Sequence, residues 1–362
     1  MLEDYAAVAR DMGVDAVALV PGPNFKRALG KGFGSNERPL VVVVPARGAA
    51  AAVVPNLELQ SWALVDFPGA TFYWRDQTGY AGAFAALADH LPLNSVAVEG
   101  QVMRVFVDIA LRAAYPGLAI LDGETEISAL RIRKTADDVA RLERAIAISQ
   151  SALDQTLATI RPGQTERQVE AALIQALFAR GAEGLSFPPI VAAATNSARP
   201  HASARDDYAL KPGDALLIDF GARVGGFAAD ITRTFFIGHA DDTQQQVYDT
   251  VLRANLAGHA IAAPGVTAHG IDDAVTSLLE ASPFAARIRH KTGHGLGREV
   301  HEAPYIMRGN HAALPVGTVF TNEPGLYDID SFGVRIEDDI LITETGNRSL
   351  TSFPKDLTIL TP

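Results

Sequence analysis

Two aspartates have a setting that could support metal chemistry. Asp219 lies within the apolar run 215–222, and Asp230 follows shortly after the pair Gly225-Gly226. An apolar run, a glycine turn and a second apolar run predict a β-hairpin. If the turn centres on Val224-Gly225, the two aspartates face each other with Cβ atoms ~5 Å apart. Carboxylates that close repel unless a proton or a cation lies between them, so this pair alone leaves open a cation site or two ordinary aspartates.

A second acidic pair and one histidine extend the pattern. Glu323 ends a strand-like run, and Glu337 lies in the returning apolar run 333–338. Between the hairpins, His294 lies in the glycine-rich segment 292–297, where small neighbours allow close approach and neutral imidazole is a good ligand. Four carboxylates and an imidazole suit Mn²⁺, Co²⁺, Fe²⁺ or Zn²⁺, and bridging carboxylates suit two ions ~3.5–4 Å apart. Each residue alone could be ordinary, but together so many charges in apolar runs require a partner.

The second part of the chain contains an internal repeat. Pro162-Gly163-x-Thr165 precedes a helical pattern and recurs as Pro264-Gly265-x-Thr267. Two similarly folded halves would bring their polar groups together about a pseudo-twofold axis. The polar candidates that recur with nearly the same offset are His201 with His301, Asp219 with Glu323, and Asp230 with Glu337.

Length and pattern predict two domains in the 362 residues. Residues 1–125 alternate helical and strand patterns, including a helix at 2–12, which indicates a smaller α/β domain. The basic segment 131–134 is interpreted as the junction, and the domains are assigned as residues 1–125 and 126–362. A long helix with Thr135 as its N-cap begins the second domain.

Composition excludes several classes of protein. No cysteine is present, which excludes disulfides and thiolate metal sites. The formal charge of −11 argues against a nucleic-acid surface, and no apolar run approaches the ~20 residues that span a bilayer. The N-terminal residues lack the pattern of a signal peptide, so we expect a cytoplasmic protein without a membrane or nucleic-acid partner.

These motifs resemble those of the metal-dependent Xaa-Pro peptidases, prolidase and Xaa-Pro aminopeptidase, which have the "pita-bread" fold. The resemblance covers the chain from about residue 130 onward, whereas the first domain matches the creatinase-like N-terminal domain only in size and general pattern. It implies an α+β protein with a pita-bread catalytic domain of two pseudo-twofold halves, preceded by the α/β domain. The residues that fall on the five family metal ligands are Asp219, Asp230, His294, Glu323 and Glu337, with Asp230 and Glu337 as the bridging pair.

The resemblance also implies a reaction. Two divalent ions, manganese in the first place and cobalt, zinc or iron as alternatives, would activate a water that attacks the carbonyl before proline. Glu323 would relay the proton to the leaving nitrogen, and His201 and His301 would bind the substrate and the intermediate. The substrate would be a proline-containing di- or oligopeptide, and the enzyme a homodimer. Three positions depart from the family pattern before Asp230 and remove hydroxyl groups there, namely Val224, Phe227 and Ala229.

Three alternatives remain open at this stage. The chain could be an Xaa-Pro dipeptidase, which we favour, an aminopeptidase acting on longer peptides, or a non-catalytic binding module of the same fold. A dipeptidase must recognise the free carboxylate of proline, and arginine is the usual means. Arg308, in the loop after His301, is the candidate by resemblance, and an ordinary solvated loop cation is the alternative.

Overall fold

The computed structural model describes residues 1–34 and 36–361 and consists of two compact units, Met1–Arg131 and Ile132–Pro362. The first unit extends past the expected limit at residue 125 because Ile127 is buried in its core. Its helices are α1 (Leu2–Met12), α2 (Pro23–Leu29), α3 (Leu59–Trp62), α4 (Ala81–His90), α5 (Val105–Ala114) and α6 (Glu124–Ala129), with a 3₁₀ turn at Asn56–Glu58. Its strands are β1 (Ala16–Leu19), β2 (Val41–Pro45), β3 (Ala51–Pro55), β4 (Ala70–Trp74), β5 (Ser95–Val98) and β6 (Ala119–Asp122).

The six strands of the first unit form one mixed sheet in the order β4-β3-β2-β1-β5-β6. Strand β5 is parallel to both β1 and β6, and β4 is parallel to β3, whereas β2 is antiparallel to both β1 and β3. Strand β2 is buried along its whole length, and alternate residues of it belong to two apolar clusters, one on each face of the sheet. A sheet covered on both faces explains the continuous valine run at 41–44.

The second unit alternates helices with short strands. Its helices are α7 (Ala136–Leu157), α8 (Glu166–Ala179), α9 (Asp242–Ile261) and α10 (Ala268–Glu280), with 3₁₀ turns at Ala194–Ala198 and Ala285–Arg287. Its strands in the first half are β7 (Gly184–Leu185), β8 (Ile190–Ala193), β9 (Ala215–Phe220), β10 (Ala222–Val224), β11 (Phe227–Ala228) and β12 (Ile231–Ile237). The remaining strands are β13 (Gly293–Gly295), β14 (Glu302–Ile306), β15 (Val319–Asn322), β16 (Gly325–Tyr327), β17 (Gly333–Arg335), β18 (Asp338–Ile342), β19 (Asn347–Ser349) and β20 (Ile359–Leu360).

The internal repeat is visible in the strand order. One sheet contains β12-β9-β8 and another contains β18-β15-β13, so corresponding strands of the two halves occupy corresponding places. Thr165 and Thr267 both cap their helices with the side-chain hydroxyl. Gly163 N donates to Leu210 O at 2.8 Å, and Gly265 N donates to Leu314 O at 3.0 Å. The same helix-start motif therefore has the same tertiary contact in both halves.

The register of the first hairpin differs from the prediction. Val224 pairs with Phe227, so the turn centres on Gly225-Gly226, both with positive φ, and Asp219 pairs with Thr232 rather than Asp230. Two glycines at positive φ suit a two-residue hairpin turn, which explains the preference for this centre. Strand side chains alternate with a period of two, so position 230 lies on the same face of the sheet as Thr232. Since Thr232 pairs with Asp219, the two aspartates still share a face after the shift.

Neither return strand of the two hairpins is continuous. The first is interrupted at residues 229–230, between β11 and β12, and the second at residues 336–337, between β17 and β18. The outgoing strand of the second hairpin is also interrupted, at residues 323–324. Asp230, Glu323 and Glu337 therefore all lie at points where a ladder is broken. The sequence predicted this position at a strand end for Glu323, whereas it placed Asp230 and Glu337 within their return strands.

Candidate metal centre

The predicted acidic residues and His294 line one cavity of the second unit, with a volume of about 880 Å³. Donor atoms of Asp219, Asp230 and Glu337 lie within 4.8 Å of one another, and so do those of His294, Glu323 and Glu337. A third group joins Asp230, His294 and His301 within the same distance. Glu337 links the first two groups, so the structure brings the five predicted ligands into one continuous cluster.

Asp219 is held by a buried arginine. Arg335 Nη2 donates to Asp219 Oδ2 at 2.5 Å, while its Nε donates to Thr232 Oγ1 at 3.0 Å. Burial raises the pKa of the Asp219 carboxyl, although the charge of Arg335 opposes that rise. Arg335 therefore offsets part of the negative charge of the acidic cluster.

Asp230 and Glu337 are buried near other carboxylates. Burial, followed by the charges of neighbouring carboxylates, raises the pKa of both groups well above the usual range. Glu337 Oε2 accepts a hydrogen bond from Thr232 Oγ1 at 2.6 Å, whereas Glu337 Oε1 has no hydrogen-bond partner among the described residues. Asp219 Oδ1 is likewise buried and has no hydrogen-bond partner among the residues that the structure describes.

The second half contributes an imidazole–carboxylate contact. His294 Nε2 lies 3.2 Å from Glu323 Oε1 and 3.8 Å from Asp230 Oδ2. Burial disfavours the Glu323 carboxylate, but the hydrogen bond and charge of His294 outweigh that effect, with help from His290 and Arg335, and lower the Glu323 pKa to about 2. Strand β13 needs glycine on both sides of His294, because a Cβ on Gly293 or Gly295 would overlap the backbone of the neighbouring strands.

This donor set fits a pair of divalent cations. Buried carboxylate oxygens without a hydrogen-bond donor are costly, and repulsion among the acidic side chains adds to that cost. Two of these unpartnered oxygens, Asp219 Oδ1 and Glu337 Oε1, belong to residues of the same donor group. Carboxylate oxygens together with one imidazole nitrogen are typical ligands of first-row divalent metals.

The two remaining predicted histidines line the same cavity. The rings of His301 and His294 lie 3.9 Å apart between centroids. Burial and then the charge of His294 lower the pKa of His301 to about 4, and the charges of Lys291 and His201 act in the same direction. His201 lines the cavity from the segment after the 3₁₀ turn at Ala194–Ala198, and its side chain is exposed.

Sequence reasoning missed a polar chain behind Asp219. His290 Nε2 lies 2.7 Å from the hydroxyl of Tyr327, which accepts a hydrogen bond from Arg335 Nη1 at 2.8 Å. His290 lies only a few residues before the predicted ligand His294 in the sequence, and this proximity could have indicated a second histidine at the site. Asp339 was also missed: its Oδ2 accepts a hydrogen bond from Asp230 N at 3.3 Å, and its pKa is raised well above the usual range by burial.

Arg308 does not line this cavity. Its guanidinium forms ion pairs with Asp273 at 2.9 Å and Glu280 at 2.7 Å and also donates to Ser277 Oγ. These acceptors all lie on α10, so the side chain is held against that helix on the surface. The arrangement favours the alternative of a surface cation over the expectation that Arg308 binds the substrate.

The three departures before Asp230 are accommodated by apolar packing. Val224, Phe227 and Ala229 are buried in the main apolar cluster of the second unit. The guanidinium of Arg298 lies 4.7 Å from the centroid of the Phe227 ring. Asp230 N is bonded to Asp339, so a hydrogen bond is present next to the candidate ligand although the hydroxyl groups are absent.

The fold and the cluster define a metallopeptidase of the two-domain type, and comparison with known proteins agrees. Residues 140–344 match the model of metallopeptidase family M24, and residues 4–133 match the creatinase/prolidase N-terminal domain. The chain belongs to metallopeptidase family M24.

The most similar proteins include dipeptidases. The crystal structure of dipeptidase PepE from Mycobacterium ulcerans has a TM-score of 0.93 and 31% identity, covering 100% of this chain and 97% of that one. The crystal structure of a prolidase from Thermococcus sibiricus has a TM-score of 0.93 and 28% identity, covering 99% and 98%. The Xaa-Pro dipeptidase of Pyrococcus furiosus is 36% identical over 231 residues, which is 64% of this chain and 66% of that protein. The predicted fold and the predicted metallopeptidase class are confirmed.

Proposed function

We propose that this chain is an Xaa-Pro dipeptidase that hydrolyses the peptide bond before proline with two divalent ions. The observation that carries the proposal is the convergence of four carboxylates and an imidazole on one cavity, with buried oxygens that lack a hydrogen bond. The similarity to proteins named Xaa-Pro dipeptidase and prolidase supports the substrate class. The proposed ligands are Asp219, Asp230, His294, Glu323 and Glu337, with Asp230 and Glu337 bridging.

The ions, when bound, would polarise the scissile carbonyl and lower the pKa of the attacking water. Glu323 is suited to moving the proton from that water to the proline nitrogen. Its side chain is 16% exposed, against 11% for Asp219 and 6% for Asp230, so it is the most accessible of these three carboxylates. A general acid–base group must reach both the water and the leaving nitrogen, which requires access to the cavity.

The histidines would bind the substrate. A neutral imidazole can donate one hydrogen bond to a carbonyl or to the developing oxyanion, and burial keeps His301 neutral at pH 7. His201 also lines the cavity, where it can orient the peptide. The chain of His290, Tyr327 and Arg335 would fix the orientation of Asp219 from behind.

Activity on matched peptides tests the proposal. We expect the manganese-loaded protein to hydrolyse Ala-Pro faster than Ala-Pro-Ala, and to leave Ala-Ala nearly uncleaved. Chelation should abolish the activity, and re-addition of Mn²⁺ should restore it. Preference for Ala-Pro-Ala would indicate an aminopeptidase instead, and metal binding without hydrolysis of any of the three peptides would indicate a binding module.

Three further features are proposals that rest on the sequence and on the resemblance. They are manganese as the metal, with cobalt, zinc or iron as alternatives, a homodimeric assembly, and a cytoplasmic location. Among the described residues, no helix combines the length and apolarity needed to cross a membrane. Elemental analysis of the purified protein and its mass in solution test the first two.

A further inference from the structure

Glu166, the first residue of α8, is a buried carboxylate that the proposed mechanism does not use. Its side chain is 0% exposed, and it lies outside the cavity wall. A buried carboxylate is costly unless it is paired and hydrogen-bonded, and Glu166 forms an ion pair with Arg205 at 2.7 Å. The hydrogen bonds that Glu166 accepts come from the segment 193–205, here called the His201 loop.

The donors to Glu166 come from both ends of the His201 loop. Ala193 N, at the first residue of the loop, donates to Glu166 Oε1 at 2.7 Å. Arg205 N, at the last residue, donates to Glu166 Oε2 at 2.8 Å, and the Arg205 side chain donates Nε to Oε2 at 3.0 Å and Nη2 to Oε1 at 2.7 Å. Asn196 Nδ2 donates to Glu166 Oε2 at 2.9 Å and to Ser203 O at 3.0 Å. One carboxylate therefore joins the two ends of the loop.

The middle of the His201 loop forms part of the cavity wall. Arg199, Pro200 and His201 line the cavity. Near the start of the loop, Ala194 has a φ of 50°, which is unfavourable for a residue with a Cβ. Such a conformation persists only where the surrounding contacts enforce it. The contacts at the ends of the loop therefore determine where its middle lies, and with it His201.

The second half of the repeat contains a corresponding contact. Asp272 lies on α10 and is 4% exposed. Its Oδ1 accepts a hydrogen bond from Thr292 N at 2.8 Å, and its Oδ2 accepts one from Arg308 N at 2.7 Å. Those two donors flank the segment that carries His294 and His301. In each half, the helix after the Pro-Gly-x-Thr motif therefore carries a buried carboxylate that joins the two ends of a segment with a cavity histidine.

We propose that Glu166 is a positioning residue that holds His201 in the cavity by fixing the two ends of the His201 loop. The proposal rests on the proposed function, since it takes His201 as a substrate-binding group. Glu166 takes no part in metal binding or proton transfer in this scheme, and its effect on the reaction passes through His201.

The experiment measures kcat for Ala-Pro with the manganese-loaded full chain in four forms: wild type, Glu166→Gln, His201→Ala and the double variant. Glutamine has the size of glutamate but brings an amide NH₂ group to donors that need an acceptor. Glu166→Gln should lower kcat by roughly 10- to 100-fold, the size expected for a displaced substrate-binding group. In the His201→Ala background the same substitution should change kcat by less than about twofold, because the group that it positions is absent. Bound manganese, measured by elemental analysis, should equal that of the wild type.

Hydrogen exchange provides a readout that does not depend on activity. Arg199 N donates to Asn196 O at 3.0 Å, and Ala202 N donates to Arg199 O at 3.1 Å, so both amides report on the fold of the His201 loop. Glu166→Gln should speed the exchange of these two amides and leave those of β9 and β12 unaffected. If Glu166→Gln does not fold, Arg205→Lys replaces it in both measurements, because that variant removes the guanidinium hydrogen bonds to Glu166 and keeps a cation.

Leu173→Ala is the matched control, because it removes a fully buried apolar side chain from the same helix. It should lower the unfolding temperature without changing kcat and without a selective effect on the His201 loop. An equal fall of kcat from Glu166→Gln with and without His201, no fall at all, or faster exchange throughout the second unit would overturn the positioning role and leave Xaa-Pro hydrolysis intact. If the wild type does not cleave Ala-Pro, the proposed function fails, and exchange alone then decides: selective acceleration in the His201 loop supports the role of Glu166 in holding it, and uniform or absent acceleration overturns that role.

Discussion

At the scale of single residues, burial sets the chemistry of the cluster. The pKa values of Asp230 and Glu337 are raised because burial and neighbouring carboxylates both disfavour their charged forms. A bound cation acts in the opposite direction, so protons and metal compete for the same oxygens. Removal of the Glu337 charge should weaken metal binding and also relieve carboxylate repulsion in the metal-free protein. Glu337 is the best position for this test because it belongs to two donor groups.

Glu337→Gln keeps the shape of the side chain and removes its charge. We expect loss of bound metal and a fall in activity of roughly 100-fold or more, since a bridging ligand is gone. The metal-free variant should unfold at the same temperature as the metal-free wild type or higher, because one repelling carboxylate has been removed. Elemental analysis and thermal unfolding measure both effects.

Asp330→Asn is the control for this change. Asp330 is an exposed carboxylate of the loop before β17, so its variant should retain metal and activity. Full metal content in Glu337→Gln would contradict the bridging role.

The limits of prediction are also clear at this scale. The acidic pairs and His294 could be found from sequence because charged residues in apolar runs are unusual. The position of Arg308 could not, because its side chain is held by Asp273 and Glu280, and no periodicity in the loop reports those contacts.

At the scale of elements, one buried ion pair joins the start of α7 to the strand that follows His301. The side chains of Lys134 and Glu302 are only 2% and 1% exposed. Glu302 begins β14 and pairs with Gly295 of β13. The pair therefore fixes His301 relative to His294, although neither charged group reaches the cavity.

Lys134→Met should remove the buried ammonium that pairs with the Glu302 carboxylate and destabilise the chain by about 3–5 kcal/mol. The double variant Lys134→Met/Glu302→Leu should recover much of that loss, because no charge then remains buried. The midpoint of urea unfolding measures each variant.

The surface pair of Arg348 and Glu143 is the matched control, with side chains 51% and 42% exposed. Arg348→Met should change stability by less than about 1 kcal/mol. If Lys134→Met lowers the free energy of unfolding no more than this control does, the buried pair stabilises the chain no more than an exposed pair.

Helix starts were predictable at this scale, whereas strand interruptions were not. Thr135 and Thr165 both form the capping boxes that local sequence indicates. The predicted continuous strand 333–338 was wrong, because β17 pairs with β16 while β18 pairs with β15 in another sheet. Which sheet a short strand joins depends on distant partners, and local propensity carries no information about them.

At the scale of the whole molecule, every proposed ligand lies in the second unit. Metal should therefore stabilise residues 132–362 and leave the strands of the first unit little affected. At a free Mn²⁺ concentration of about 100 times Kd, we expect a stabilisation of about 2.7 kcal/mol, or a rise of roughly 5–10 °C in the unfolding temperature. Mg²⁺ should act less, because it disfavours a histidine ligand.

Hydrogen exchange on the full chain localises this effect. Amides of β9, β12, β15 and β18 should become more protected when Mn²⁺ is added, and amides of β1–β6 should not. An equal gain in protection in both units on addition of Mn²⁺ would contradict the assignment of the metal ligands to the second unit. The stabilisation should decrease as pH falls, because protons displace metal from carboxylates whose pKa is raised by burial.

The division of the ligands between two repeated halves has a consequence for biosynthesis. Asp219 and Asp230 are translated well before Arg335 and Glu337, the cation and the carboxylate that complete their surroundings. At ~5–20 residues per second, Glu337 is added roughly 5–20 s after Asp230. During that interval the nascent chain carries an acidic pair with neither its arginine nor the second half of the proposed ligand set. Metal loading is therefore a late event in the life of each polypeptide, and a ribosome that stops before residue 337 releases a chain without a complete centre.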